Sequence, residues 1–134
     1  MRSFVVDTHP LVWHLTADTR LGPQGSDLFQ ATDRGDVRLI VPGIVLIEII
    51  YLAEKRRLPA NLVSQVTALL EPPTINYQLA PLDLPVIKRL ETVDRSFVPD
   101  LPDRIVVATA LRWDLPLISR DAAFSRVAEL NLVW

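Results

Sequence analysis

Ser3-Phe-Val-Val-Asp-Thr-His-Pro10 decides how the rest of the chain is read. A short apolar run that ends at Asp7 and meets a proline three residues later predicts a buried strand feeding at once into a helix. Pro10 falls in that helix's first turn, where a missing N–H does no harm, and Leu11, Val12 and Leu15 form its inner face. The same alternation recurs downstream. Residues 24–34 suit a helix stopped by Gly35, and Val37-Arg-Leu-Ile-Val41 suits a strand. Pro42 opens a long helix that ends in Glu54-Lys-Arg-Arg57, and residues 60–70 form another, closed by Glu71-Pro-Pro73. From Thr74 to Ala80, Ile75, Tyr77 and Leu79 alternate with polar neighbours, as in a half-exposed strand. Helices over residues 84–92 and 102–113, a strand over 115–119, a last helix and the strand Asn131-Leu-Val-Trp134 complete the pattern. Strands alternating with helices predict an α/β fold, its parallel sheet covered by helices on both faces.

The length of 134 residues suits a single domain over residues 1–134 with a sizeable core. With 49% hydrophobic and 22% charged residues, the composition excludes disorder. Fourteen Lys and Arg against 16 Asp and Glu give a net charge of -2, which argues against a protein that coats nucleic acid with a basic surface. The absence of cysteine excludes disulfides and thiolate metal sites and fits a reducing compartment. Asp7 interrupts the first apolar run too early for a secretory signal, and Pro42-Gly43 and Glu48 break the longest apolar tract. The expected location is cytoplasmic.

In an open parallel sheet, ligands gather outside the carboxyl ends of the strands, near the point where strand order reverses. Asp7 and Asp121 both follow predicted strands there. Each alone reads as a helix N-cap or turn former. In Val98-Pro-Asp-Leu-Pro-Asp-Arg-Ile-Val-Val-Ala-Thr-Ala110, Asp100 caps the helix and Asp103 lies in its first turn, where a carboxylate meets the positive end of the helix dipole. Small Ala108 and Ala110 bring that helix close to the sheet, so its N-terminus opens on the same edge as Asp7.

Glu48 interrupts Ile44-Val-Leu-Ile-Glu-Ile-Ile-Tyr-Leu-Ala53. Its helical neighbours Ile44, Val45, Tyr51 and Leu52 are apolar, with Lys55 further along the stripe. Taken singly it is a solvated residue or a salt-bridge partner; taken with the other acids it is a metal ligand. Carboxylates collected in one cleft repel by roughly 4 kcal/mol per close pair, and an all-oxygen set suits Mg²⁺ or Mn²⁺ far better than zinc. His9 and His14 lack the adjacent glutamate of a zinc-protease helix and read as packing or surface residues.

Four segments now coincide in order and spacing: Val6-Asp-Thr-His9, Glu48 in an apolar helix, Pro102-Asp-Arg-Ile-Val-Val-Ala-Thr-Ala110, and Ile118-Ser-Arg-Asp121. Together they resemble the PIN-domain ribonucleases, and among these the VapC-type toxins of bacterial toxin-antitoxin pairs, over essentially the whole chain. The resemblance implies a PIN-like α/β/α sandwich with a mostly parallel central sheet and an Mg²⁺- or Mn²⁺-dependent endoribonuclease acting as a toxin. It makes Asp7, Glu48 and Asp103 the main metal ligands and Asp121 a fourth, with Ser119 and Asp100 auxiliary. It also implies a homodimer and a VapB-like antitoxin covering an apolar groove near Trp13 and Leu15. Pro10 departs from the small or apolar residue of many relatives, which stiffens the helix start without removing a ligand.

With the four acids set aside the remaining charge is net positive, so RNA is not excluded; arginines such as Arg112 and Arg120 would assist. A receiver-type phosphoacceptor domain needs a lysine at a late strand end, and the only lysines are Lys55 and Lys88. A haloacid-dehalogenase-type phosphatase needs an acid where His9 stands. A catalytically silent PIN fold kept for protein binding predicts the same sequence features and stays open.

Overall fold

A computed structural model describes residues 1–71 and 75–134. At its centre lies a parallel sheet of five strands, β1 (Arg2–Val6), β2 (Val37–Pro42), β3 (Tyr77–Ala80), β4 (Leu117–Ile118) and β5 (Leu132–Val133), in the order β3-β2-β1-β4-β5. The inner strands read as unbroken apolar sequence because both their faces are covered: Phe4, Val5 and Val6 of β1 and Leu39, Ile40 and Val41 of β2 are all buried. β1 pairs Val5 with Ile40 on one side and Val6 with Ile118 on the other.

Six helices flank the sheet: α1 (Thr8–Leu15), α2 (Pro23–Asp33), α3 (Gly43–Glu54), α4 (Asn61–Leu70), α5 (Leu84–Thr92) and α6 (Leu101–Trp113). This is the α/β sandwich that the alternation predicts. None of the described helices is long and apolar enough to cross a membrane. Proline starts α2, α5 and α6 near their first residues, where no intrahelical N–H is needed. At the far end of α2, Gly35 takes φ +85°, and the N–H groups of Gly35 and Asp36 return to the carbonyls of Thr32 and Ala31. α1 ends in the same way on a residue less suited to it: Ala17 has φ 53°, with Ala17 and Asp18 donating to the carbonyls of His14 and Trp13.

Two groups of side-chain hydrogen bonds hold elements together. At the amino edge, Asp33 accepts from the Tyr77 hydroxyl and pairs with His14 Nε2 at 2.9 Å, while Asn76 Nδ2 donates to the Thr32 carbonyl. Between helices, the Arg104 guanidinium on α6 donates to the carbonyls of Leu90 and Val93 at the end of α5, each at 3.1 Å.

Three expectations change. The last helix is a five-residue 3₁₀ helix, Ala122–Arg126; its segment offers Phe124 and Val127 to the core, three residues apart, a spacing that the tighter helix aligns. On the edge strand β3, Tyr77 and Ala80 are the buried residues, whereas Ile75 and Leu79 are open to solvent. α3 ends at Glu54, so Lys55, Arg56 and Arg57 belong to the turn that follows. The expected turn at Pro72-Pro73 and strand start at Thr74 fall outside the described residues.

Candidate functional site

From β1 the chain builds the sheet outward through β2 and β3, then returns to the other side of β1 for β4 and β5. Strand order therefore reverses between β1 and β4, and a crevice opens between their carboxyl ends. Asp7 directly follows β1 and Ser119 directly follows β4. The buried Asp7 carboxylate accepts from the Thr8 N–H through Oδ1 and from the Ser119 hydroxyl through Oδ2, both at 2.8 Å. Ser119 Oγ in turn accepts from the Asp121 N–H at 3.2 Å. Two neighbouring strand ends are thus tied together by one side-chain bond, and Asp121 is hung from the same hydroxyl.

The remaining acids arrive on helices. The Thr8 hydroxyl donates to Glu48 Oε1 at 2.7 Å, tethering the middle of α3 to the first residue of α1. Asp100 caps α6 by accepting from the Asp103 N–H at 3.0 Å, which leaves Asp103 in the first turn. Asp7 and Asp121 are also caps, of α1 and of the 3₁₀ helix. The capping role and the place in the crevice coexist, because helices that follow parallel strands start at the carboxyl edge.

Asp7, Asp103, Ser119 and Asp121 line a cavity of about 390 Å³. Glu48 and Asp100 are not part of that lining but act on it electrostatically. The Asp103 carboxyl is pushed up to about 7, first by burial and then by Asp7, Asp100, Asp121 and Glu48. Burial also raises Glu48, against the Thr8 hydrogen bond and with help from Asp7 and Asp100. Asp7 is raised by burial, opposed by its bonds to Ser119 and Thr8. None of these acids forms a salt bridge with a described residue. Lys55 does not pair with Glu48; its Nζ sits 4.3 Å from the Tyr51 ring centroid. Among the described residues no three acidic or histidine side chains form a ready-made cation cage, so the carboxylates surround the crevice without closing on a point.

His14 is the packing residue expected, stacked on Phe29 at 4.4 Å. His9 is different, because it lines the acidic cavity and its charge lowers Asp7 and Glu48. Trp13, Arg20 and Arg120 line it as well. His9 and Trp13 are four apart on α1, so their shared face was readable; the arrival of Arg20 depends on the turn after α1 and was not. Arg112 lies in the last turn of α6, at the opposite end from Asp103.

A family model described as PIN domain matches residues 4–130. The chain belongs to the PIN domain family. No curated protein is matched by the sequence. This PIN domain is similar in fold to VapBC2 from Rickettsia felis bound to a promoter DNA fragment, with TM-score 0.72 at 13% identity over 98% of this chain and 97% of the other. It is similar to DNA-bound VapBC from Salmonella typhimurium, with TM-score 0.72 at 16% identity over 99% and 98%. FitAcB from Neisseria gonorrhoeae aligns with TM-score 0.66 at 18% identity over 98% and 96%. At such identities the likeness is one of fold.

Proposed function

We propose that this PIN domain is an Mg²⁺- or Mn²⁺-dependent endoribonuclease that acts as the toxin of a toxin-antitoxin pair. One observation carries the reading: Asp7, Asp103 and Asp121 line one cavity at the switch point of the sheet, further charged by Glu48 and Asp100, with no cationic side chain paired to any of them. A hard divalent ion fits this oxygen-only donor set, and Asp7, Glu48, Asp103 and Asp121 would hold it. When bound, such an ion supplies charge neutralisation at a phosphate and polarises water for attack at phosphorus.

The chain's own residues prepare that chemistry. Ser119 and Thr8 each occupy one oxygen of Asp7 and so fix the plane of its carboxylate. Thr8 orients Glu48 from the adjacent position. Asp103, pushed up to about 7 by burial and the neighbouring acids in the metal-free protein, would give up its proton when a divalent ion binds. No side-chain nucleophile is needed.

The similarity to VapBC and FitAB complexes supports a VapB-like antitoxin as partner. Trp13 is buried and Leu15 half-buried; Ile47, Ile50 and Tyr51 on α3 are the exposed apolar side chains suited to a homodimer or antitoxin contact.

The test is cleavage of an end-labelled mixed-sequence RNA by purified protein in Mg²⁺, Mn²⁺ or chelator. Internal cuts that require the metal are expected. A folded protein that cuts nothing under any of these conditions would overturn the nuclease reading and leave a protein-binding PIN module.

A further inference from the structure

Arg20 and Arg120 share the lining of the acidic cavity with the carboxylates. The Arg20 and Arg120 guanidinium carbons lie 4.9 and 4.7 Å from the Trp13 ring centroid. Trp13 itself is buried and braced edge-on by Trp134 at 5.9 Å between ring centroids, so it is a fixed seat, closed to a stacking base. The sequence reaches this arrangement in two pieces. After α1 the chain reverses through Ala17, and Asp18 takes Arg20 in a two-pronged pair, Nε to Oδ1 at 3.1 Å and NH2 to Oδ2 at 2.8 Å. From the other side, Arg120 follows Ser119 at the end of β4 and has no described carboxylate within 4.0 Å.

Two guanidinium groups are thus gathered on one ring with a single carboxylate, Asp18, to offset them. A second cavity, of about 330 Å³, shares His9, Trp13 and Arg20 with the first and continues to Arg57. A groove therefore runs from the acids past two arginines to a third. A guanidinium group held in a fixed plane suits phosphate oxygens: Arg120 keeps its paired N–H donors, whereas Arg20, whose Nε and Nη2 are held by Asp18, offers Nη1. Asp18 also lines the second cavity, where it is taken up by Arg20, and a strand with one phosphate at the acids has its neighbours beside the arginines.

We propose that Arg120 and Arg20, seated on Trp13, bind phosphates flanking the one held at the acidic cavity, and that the groove toward Arg57 is the path of a single-stranded RNA. The identity of the strand rests on the nuclease reading above. Arg20 and Arg120 are positioning residues: they hold the strand in register while the acids act on one phosphodiester.

The experiment measures binding of a fluorescein-labelled mixed-sequence RNA oligonucleotide by anisotropy across a salt series. It uses Asp103→Asn protein with Mg²⁺ so that the strand stays whole, and is paired with KM and kcat of otherwise wild-type protein. Arg120→Ala and Arg20→Ala should each weaken binding roughly tenfold and reduce the salt slope by about 0.7, one single-strand phosphate contact each. KM should rise by a similar factor with kcat little changed, and Arg120→Lys should keep the wild-type slope. Arg34→Ala, which breaks only the exposed Arg34–Asp36 pair, should change nothing. Wild-type affinity and slope in both alanine variants, or no RNA binding at all, would overturn the proposal. Loss of cleavage by wild-type protein with the slope changes intact would instead remove the nuclease reading and keep the strand-binding one.

Discussion

At the amino edge of the sheet Asp33 is met by two side-chain donors, whereas at the carboxyl edge Asp7, Glu48, Asp103 and Asp121 gather around one crevice. Asp33 receives the Tyr77 hydroxyl and His14, and the neighbouring Asn76 closes the gap to α2. The Tyr77 hydroxyl is held in its neutral form by burial and by Asp33. Every strong polar group in that node has an answer inside the molecule. The carboxylates of the crevice have hydrogen bonds that fix their orientation, from Thr8 and Ser119, but no cation to answer their charge. The same residue type serves cohesion at one edge and stands ready for an external charge at the other. Consistency of local and global preference is relaxed where a ligand is to complete the site.

Substitutions should separate the two edges. The largest expected effect is on catalysis: Asp7→Asn, Glu48→Gln or Asp103→Asn should lower RNA cleavage by at least about a hundredfold at saturating Mg²⁺ with the fold unchanged by circular dichroism. Near-wild-type cleavage by any one of them removes that residue from the metal set. At the other edge, Asp33→Ala should leave kcat alone and destabilise by about 1–3 kcal/mol in urea unfolding, because the hydroxyl of the buried Tyr77 loses its acceptor. If Asp33→Ala impaired cleavage as strongly as Asp103→Asn in protein that remains folded, the contrast between the edges would be wrong.

A smaller effect sharpens the comparison through pH. Asp103 is raised in the folded protein from an ordinary 3.8 to about 7. Its protonated form therefore favours the fold fully below the ordinary value, and that benefit is lost as pH rises through about 7. Protein in chelator should melt higher at pH 5 than at pH 7.5, and Asp103→Asn should narrow the gap. Asp7 and Glu48, shifted in the same direction, keep it from vanishing. Mg²⁺ should raise the pH 7.5 melting temperature by binding only the native state. An unchanged gap in the variant would show that Asp103 is not the group titrating. The smallest effect concerns Ala17, whose φ of 53° suits glycine: Ala17→Gly should stabilise by about 1 kcal/mol, read from the urea midpoint.

Local sequence carried the acidic half of the site. Asp7, Asp100, Asp103 and Asp121 are each placed by an adjacent strand end or helix start, and such junctions are written in runs of a few residues. The cationic half depends on distance. Arg20 meets Trp13 because of a left-handed turn at Ala17, a residue that carries no signal for one, and Arg120 meets the same ring from the far end of the chain. His9, read from its incomplete zinc motif as a packing or surface residue, is exposed, and the cavity that it lines exists only after β4 is set beside β1. The fold class was legible in the alternation of elements. The shape of the last helix and the exposed face of β3 were not, since both are decided by which neighbours cover them.

Arg104 follows Asp103 directly, and its side chain is committed to α5. The first turn of α6 therefore cannot fray independently while the end of α5 is docked, because opening either one strands a buried guanidinium whose Nε already lacks a described partner. In hydrogen-exchange terms, the last turn of α5 and the start of α6 should open as one cooperative unit, with amides protected to a common free energy. The carboxylate of Asp103 thus depends for its steadiness on the docking of a neighbouring helix, and loosening of α5 should be felt at the crevice.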